Sequence, residues 1–258
     1  MTHSANIQRE FAKQARGFAN PVLTLARTDY LEWMLGHLPL QPDGCVLDVA
    51  AGSGHLTRAI APRVGWILAL DLTMEMLEEL HKHTVAQKIS NLRALRGLAE
   101  TLPIRDATFD LVVSRFAFHH FERPALVFRE MVRTCKLGGT VGIIDLVSPD
   151  EPQLAHLYNA YELKRDVSHS RALSEAEIVR LLRSAGLVDV SSVGRDVEVD
   201  LEAWLDLAKT PATATQQIRS DLQAELQGGA RTGMRPFRRD KNLMFLQRWV
   251  ITVARKAA

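Results

Sequence analysis

Short apolar runs alternate with longer amphipathic segments along most of this chain. The apolar runs occupy residues 45–49, 66–71, 91–96, 109–115 and 140–146. Apolar positions at helical spacing occupy residues 54–61, 73–87, 124–136 and 174–185. The runs around Val112 and Ile143 are continuously apolar, as is typical of strands covered on both faces. The alternation therefore predicts an α/β fold, with a mostly parallel sheet between two layers of helices.

Helix breakers and the spacing of the later elements add detail to this fold. Pro62 ends the first of these helices, and we expect Gly138 and Gly139 to end the helix before the fifth strand. Two more strand candidates, 187–195 and 243–255, are separated by a long segment with a polar helix near 213–227. An insert of that size in such a sheet is usually a lid near the ligand.

The expected organisation is one main domain with small additions. Residues 41–258 form this domain, with a helical cap insert at about 196–240, and residues 1–40 form an N-terminal helical cap segment. The aromatic side chains of the N-terminal segment include Phe18, which we take as a candidate substrate contact. The alternative is that these rings only pack against the outer helices.

Composition narrows the classes of partner. The 258 residues carry 32 basic and 30 acidic side chains, a net charge of +2, which gives no reason to expect nucleic acid as a partner. No segment approaches the ~20 apolar residues of a membrane span, and the N-terminus has no secretory signal pattern. The only cysteines are Cys45 and Cys135, typical of a reducing compartment. We expect a soluble, cytoplasmic protein of open oligomeric state.

The first apolar strand runs directly into a glycine-rich turn. Asp48 lies near its end, and Gly52 and Gly54 follow. Such a turn suits a nucleotide, but dinucleotide enzymes carry a third glycine where this chain has Thr57. Asp48 would repel a pyrophosphate and attract a cation. S-adenosylmethionine carries a sulfonium and an ammonium cation, so it suits this turn better than a dinucleotide does.

The second strand ends in Asp71, close to the ~20-residue spacing at which a strand-end acid binds the ribose hydroxyls of a nucleoside. Together with Asp48, Gly52 and Gly54, it makes the chain resemble class I S-adenosylmethionine-dependent methyltransferases, more narrowly the ubiquinone/menaquinone C-methyltransferase-like branch. Further motifs carry the likeness: residues 71–77, 99–103, 109–112, 115–121 and 138–140. The resemblance implies a Rossmann-like sheet of seven strands in the order 3-2-1-4-5-7-6, the last strand antiparallel.

The resemblance also implies contacts with S-adenosylmethionine. The turn from Ala50 to Gly54 would approach its methionine part, and Asp71 its ribose. The adenine would lie beside Leu72 and Met76, near the backbone of residues 98–100, with Arg115 beside the methionine amino group. The implied cofactor-binding residues are Asp48, Ala50, Gly52, Gly54, Asp71, Leu72, Met76, Leu98, Ala99, Glu100 and Arg115.

One position departs from the pattern. Relatives often have an acid where this chain has Leu98, so a side-chain hydrogen bond to the adenine amino group is lost, worth about 0.5–1.5 kcal/mol. The backbone at Ala99 and Glu100 remains available.

Methyl transfer needs alignment and exclusion of water, and a base where the acceptor loses a proton. The candidate bases are His119 and His120, directly beyond the fourth strand, because histidine titrates near neutrality. The alternative is that one of them only packs. His169 and Arg171 are candidate anchors for an acidic or carbonyl group of the substrate. No histidine and cysteine spacing indicates a metal site.

The sequence thus predicts an enzyme that methylates carbon or oxygen of a small molecule, with an aromatic, quinone or polyketide type of acceptor. Two alternatives stay open: a protein that binds the cofactor without catalysis, and a nicotinamide-dependent oxidoreductase.

Overall fold

A computed structural model describes residues 7–12 and 27–257, and residues 7–12 are helical. The further α-helices are α1 Thr28–Leu35, α2 His55–Ile60, α3 Met74–Ala86, α4 Pro124–Thr134, α5 Pro152–Arg165, α6 Glu175–Ser184, α7 Leu201–Leu207 and α8 Ala212–Leu226. The strands are β1 Cys45–Val49, β2 Trp66–Asp71, β3 Leu92–Arg96, β4 Phe109–Arg115, β5 Cys135–Val147, β6 Leu187–Asp200, β7 Pro236–Arg239 and β8 Asn242–Lys256.

The strands form one mixed sheet in the order β3-β2-β1-β4-β5-β8-β6. The pairs from β3 to β5 are parallel, and β8 runs antiparallel to both β5 and β6. The expected Rossmann-like α/β fold and its strand order are confirmed. The sheet has eight strands instead of seven, because β7 forms an additional hairpin with β8.

The start of β5 differs from the sequence-based expectation. Helix α4 ends at Thr134, and the strand begins at Cys135, ahead of the two glycines. Gly138 has a φ of +75°, and the register between β4 and β5 shifts next to this segment. A Cβ on Gly139 would lie 2.9 Å from the carbonyl oxygen of Asp110. The glycines therefore serve an irregular strand entry and do not end a helix.

Helices cover both faces of the sheet, as the continuous apolar strands predict. One face packs against α1, α2, α3 and α5, with Leu80 and Trp249 among its buried side chains. The other face packs against α4 and α6, with Phe128 and Leu182. Helix α6 begins with a capping box between Ser174 and Glu177. This packing holds the strand ends of β1 to β4 in fixed positions, where a ligand site can form.

The described parts of the two segments expected to act as caps both contact the sheet. In α1, Tyr30 packs on Trp249 of the sheet, with ring centroids 5.1 Å apart. In the 196–240 segment, α7 places Trp204 against Phe245 of β8, 4.9 Å between centroids. None of the helices within the described ranges is both long and apolar enough to cross a membrane.

Candidate functional site

A cleft lies at the carboxyl ends of β1, β2, β3 and β4, where open α/β sheets bind ligands. Its empty volume is about 1000 Å³, part of it open to solvent. The sequence-predicted site residues that line it are Ala50, Gly52, Asp71, Leu72, Met76, Leu98, Ala99, Glu100, Arg115 and His120. Parallel strands bring these residues together, although they are far apart in the sequence.

The turn after β1 is built from left-handed backbone. Ala50, Gly52 and Gly54 have φ values of 57°, 57° and 76°. A Cβ on Gly52 would meet only the Met76 sulfur, at 4.0 Å, whereas one on Gly54 would lie 2.1 Å from Leu80 Cδ1. Gly54 is therefore required for close packing on α3, and it does not itself line the cleft. Ala50 is an alanine held in a strained conformation within the site.

Asp71 joins the turn to the end of β2. Its two carboxylate oxygens accept the backbone N–H groups of Gly52 and Thr73, each at 2.8 Å. Burial raises the pKa of Asp71, and these hydrogen bonds oppose the rise. A carboxylate has about four lone-pair positions, so each oxygen can accept a second hydrogen bond from a ligand hydroxyl. The placement suits a diol such as a ribose.

Asp48 lies beneath the turn and is not among the cleft-lining residues. It is 1% exposed, and one oxygen accepts the Thr57 hydroxyl at 2.6 Å. Burial raises the pKa of Asp48 to about 7, opposed by the Thr57 hydrogen bond and the charge of Arg115. Its other oxygen has no hydrogen-bond partner within residues 7–12 and 27–257. Asp48 therefore acts on the cleft from behind, through charge.

The cleft wall near β3 is largely apolar. Met76 is buried, Leu72 is half-buried, and Leu98 is 41% exposed at the rim. Ala99 and Glu100 continue this rim. An apolar slot with backbone at its edge can hold a flat heterocycle, and Leu98 offers a packing surface where an acid would offer a hydrogen bond.

Arg115 ends β4 and borders the other side of the cleft. Burial lowers its pKa to about 10, and the charges of Asp48 and Asp145 oppose that shift. Its guanidinium lies 4.6 Å from the ring centre of Phe116. Phe116 has a φ of 52°, a strained value for a bulky residue, and it also lines the cleft.

The two adjacent histidines have different surroundings. The Nδ1 atom of His119 lies 2.6 Å from Oδ1 of Asp145, which also accepts the N–H of Leu146. Burial disfavours the charged imidazole, but the charge of Asp145 and this hydrogen bond outweigh it and raise the pKa of His119. His119 does not line the cleft, so this histidine, whose charged form Asp145 favours, lies behind it.

His120 lines the cleft and is 8% exposed. Its Nδ1 atom lies 2.9 Å from the Ser168 carbonyl oxygen, and Phe11 packs edge-on against its ring at 4.8 Å between centroids. Burial first, and the charge of His119 second, lower the pKa of His120 to about 3. The imidazole at the cleft is therefore neutral near pH 7.

Neither His169 nor Arg171, two of the three candidate substrate contacts, lines the cleft. Phe18 is outside the described residues. His169 is buried behind the cleft, with Nε2 at 2.8 Å from Oδ1 of Asn159 and burial lowering its pKa. Arg171 is outside the cleft lining and forms an ion pair with Glu177 at 2.9 Å. The substrate role of these residues stays a prediction.

Other lining residues are absent from the sequence-based set: Ile7, Phe11, Ala51, Ser53, His55, Leu70, Thr73, Gly97, Phe116, Ala117 and Phe121. Most of them are neighbours of predicted residues and follow from the same strand ends. Ile7 and Phe11 come from the N-terminal helix. Of the two, only Phe11, as an aromatic residue, could be suspected from the sequence of lining a pocket. In the part of the chain that the structure describes, no three His, Cys, Asp or Glu side chains are grouped to hold a metal ion.

Comparison with known proteins shows which family this chain belongs to. A family of methyltransferase domains matches residues 47–143. The uncharacterized methyltransferase YcgJ of Bacillus subtilis is 31% identical over 177 residues, which are 69% of this chain and 70% of that protein. The crystal structure of YcgJ matches with a TM-score of 0.80 at 25% identity, covering 90% of this chain and all of that chain.

Two further similarities cover about half of the other protein. The ubiquinone/menaquinone biosynthesis C-methyltransferase UbiE of Ectopseudomonas mendocina is 30% identical over 126 residues, 47% of this chain and about half (49%) of that protein. Haemonchus contortus phosphoethanolamine N-methyltransferase 2, solved with S-adenosyl-L-methionine, has a TM-score of 0.61 at 18% identity, which shows the fold alone; it covers 90% of this chain and 53% of that chain. The chain therefore belongs to the class I methyltransferase family, enzymes whose cofactor is S-adenosylmethionine.

Proposed function

We propose that this enzyme methylates an oxygen or a carbon of a small, uncharged and largely apolar acceptor, such as a phenol or enol of aromatic, quinone or polyketide type. The observation that carries the proposal is the lining of the β4 side of the cleft. Phe11, Phe116 and Phe121 lie there beside the neutral imidazole of His120. Aromatic walls favour a flat apolar molecule, and a neutral imidazole accepts a proton without attracting an anion.

The positive charge of Arg115, at the end of β4, is offset by nearby acidic side chains. Arg115 is the one charged side chain that this strand contributes to the described lining, and Asp48 and Asp145 both act on its charge. An acceptor with a carboxylate or phosphate would find little uncompensated positive charge there. The acidic lining residues, Asp71 and Glu100, lie on the other side, toward β2 and β3.

The same lining supports a proposal for the cofactor contacts. Asp71 takes the ribose hydroxyls, the Ala50 to Gly54 turn lies along the methionine part, and Leu72 and Met76 flank the adenine. The backbone of residues 98–100 borders the adenine edge, and Arg115 lies near the methionine end. The bound cofactor supplies an electrophilic methyl group on a sulfonium. The protein aligns the acceptor, excludes water and receives the proton.

Two calorimetric titrations test the binding half of this proposal. S-adenosylhomocysteine should bind the full chain, and NAD should not, since the nicotinamide alternative is not favoured by the family. Turnover tests the other half: a panel of neutral phenols and enols, with phosphoethanolamine and sarcosine as charged controls, is assayed for S-adenosylhomocysteine release. Release with neutral acceptors is expected. Release with the charged controls alone would overturn the acceptor class, and no release at all would favour a cofactor-binding protein without catalysis.

The base is tested by a variant of the cleft histidine. His120→Ala should lower kcat by about 10²-fold, the lower end of the usual contribution of a positioned base, because the lowered pKa of His120 makes it a weaker base. The affinity for S-adenosylhomocysteine should stay within about two-fold of the wild-type value. His37→Ala removes an exposed histidine that does not line the cleft and serves as the control. If His120→Ala and His119→Ala both keep wild-type turnover, catalysis is by positioning alone.

The two cysteines bear on where the enzyme works. Cys45 and Cys135 are both free thiols. Free thiols persist in reducing compartments, which supports the cytoplasm as the proposed location.

A further inference from the structure

Two chain segments meet directly behind the β4 side of the cleft. One is the turn of residues 118–120, and the other is the loop 166–171 that follows α5. The carbonyl oxygen of His119 accepts the N–H groups of Ser170 and Arg171 at 2.8 and 3.0 Å. The loop is thereby tied to the backbone that carries both histidines, so its side chains are held at fixed distances from them.

Asp166 organises the first half of that loop. Its Oδ1 atom accepts both the N–H and the hydroxyl of Ser168, at 2.9 and 2.6 Å. Asp166 is 6% exposed, and Ser168 is fully buried. Burial raises the pKa of Asp166, but nearby positive charge, including that of Arg165, and the hydrogen bonds from Ser168 outweigh it and lower the pKa. Asp166 is therefore an ionised carboxylate that holds Ser168 in one orientation.

Ser168 in turn determines which nitrogen of His120 carries the proton. The Ser168 carbonyl oxygen lies 2.9 Å from Nδ1 of His120, and the Ser168 hydroxyl oxygen lies 3.2 Å from the same atom. A carbonyl oxygen only accepts, and the hydroxyl donates its proton to Asp166, so Nδ1 must be the donor. In the neutral ring, Nε2 is then the acceptor, the form that a base needs.

The remaining charges around His120 act against a second proton. The ring of His119 lies 4.1 Å from that of His120 between centroids, and Asp145 favours the charged form of His119. Arg165 also disfavours a charge on His120. Asp166 is the acidic group that offsets them. Removing this charge would leave an imidazolium at position 120 less stabilised against the repulsion from His119 and Arg165.

We propose that Asp166 is a positioning residue for His120: through Ser168 it holds the tautomer in which Nε2 accepts, and its charge balances the imidazolium that forms when His120 takes a proton. The catalytic part of this proposal rests on the proposed function. In the reaction, the proton leaves the acceptor hydroxyl or carbon and binds at Nε2. Water removes it from the imidazolium after the product has left.

The tautomer is measured on the ligand-free full chain by ¹⁵N NMR, in which long-range couplings distinguish the two ring nitrogens of His120. The wild type should show a proton on Nδ1 at pH 7. Asp166→Ala frees the Ser168 hydroxyl to donate to Nδ1, in competition with the Ser168 carbonyl oxygen, so it should give a mixture of both tautomers. Asp166→Asn should keep the wild-type tautomer, because an amide oxygen can accept the same two hydrogen bonds from Ser168. Asp150→Ala removes an exposed carboxylate from the loop between β5 and α5, and it should change nothing.

Turnover separates positioning from charge. With an acceptor found in the panel above, Asp166→Ala and Asp166→Asn should both lower kcat by about 10- to 100-fold, part of the base contribution. KM and the affinity for S-adenosylhomocysteine should stay within about two-fold. The loss should grow with the pKa of the acceptor in a series of substituted phenols, which a purely structural defect would not produce.

A proton on Nε2 in the wild type would overturn the proposal, as would a folded Asp166→Ala variant with the wild-type tautomer. If Asp166→Ala does not fold, two other results test the proposal. A proton on Nδ1 in the wild type and a lowered kcat of Asp166→Asn support it, and the absence of either contradicts it. If no acceptor in the panel is methylated, the proposed function fails, while the tautomer measurements still test the link from Asp166 to His120.

Discussion

The two sides of the cleft differ in what forms them, mainly backbone on one side and mainly side chains on the other. On the β1 to β3 side, a left-handed turn held by the carboxylate of Asp71 forms much of the site, so its shape depends on the main chain. On the β4 side, aromatic rings surround His120, and the buried His119 and His169 stand behind it. There the geometry depends on hydrogen bonds and charge interactions between titratable side chains.

The difference has a physical consequence. A site made from backbone tolerates changes of side chain at its rim, such as Leu98, but not changes of backbone conformation. A site made from coupled titratable groups responds to the removal of a single charge anywhere in the group. The predictions below test each half of this comparison.

The largest effect on stability should come from the β4 side. Asp145→Asn leaves His119 without its charged partner, and breaking a buried ion pair costs about 3–5 kcal/mol. Because Asp145 raises the pKa of His119, that stabilisation is fully present below about pH 6.5, the unfolded-state pKa of histidine, and is lost as the pH rises through the folded-state value.

Urea unfolding of both proteins between pH 5.5 and 9 measures this. The difference in the free energy of unfolding should be largest at the acidic end and should shrink toward pH 9. Asp189→Asn, which removes an exposed partner of Arg255, should show no such trend. A pH-independent difference for Asp145→Asn would mean that His119 is not charged in the folded protein.

On the other side of the cleft, the largest binding effect should belong to Asp71. Asp71→Ala should weaken S-adenosylhomocysteine binding by about 1.5–3 kcal/mol, the scale of hydrogen bonds to a charged group. Isothermal titration calorimetry measures it, with Asp206→Ala, an exposed carboxylate of α7, as the control. Equal affinities for Asp71→Ala and the wild type would refute the ribose contact.

The backbone argument is tested by two glycines with nearly the same φ. Gly54 and Gly138 have φ values of 76° and 75°, but an added Cβ meets Leu80 at 2.1 Å in the first case and nothing within 4 Å in the second. Both alanine variants carry the left-handed strain. Gly54→Ala should therefore be less stable than Gly138→Ala by about 1–3 kcal/mol, the usual cost of overpacking. Equal losses on urea unfolding would mean that Leu80 moves aside freely.

The smallest effect should appear at the rim of the cleft. Leu98→Asp restores an acid that can accept a hydrogen bond from the adenine amino group, so S-adenosylhomocysteine should bind more tightly by about 0.5–1.5 kcal/mol. Leu137→Asp, at another exposed leucine, on β5, controls for the added charge. Affinity that is unchanged or weaker in Leu98→Asp would show that the adenine edge is not placed there.

Much of the fold follows from local sequence. The spans of β1, β2 and β4 agree with the predicted runs, because each is a short apolar segment with polar residues or turns at its ends. Strand β7 was not predicted, since its four residues, Pro236 to Arg239, contain no alternating pattern. The early start of β5 also escaped prediction, because residues up to Lys136 continue the helical spacing of α4.

The site divides in the same way. Residues at strand ends could be predicted to meet, because parallel strands bring their carboxyl ends to one edge of the sheet. The partnership of His119 with Asp145, and of His120 with Ser168 and Asp166, could not, since it depends on how the turn after β4 and the loop after α5 approach each other. The contact of Phe11 with His120 likewise joins residues more than a hundred positions apart.

The position of β8 has a consequence for how this protein forms. This strand lies between β5 and β6 and also pairs with β7, although it is the last strand in the chain. During synthesis, the edges of β5 and β6 that pair with β8 lack this partner until residues 242–256 have left the ribosome. Such edges can pair with other chains. Pairing with β8 therefore removes two open strand edges at once, as the last step in completing the sheet.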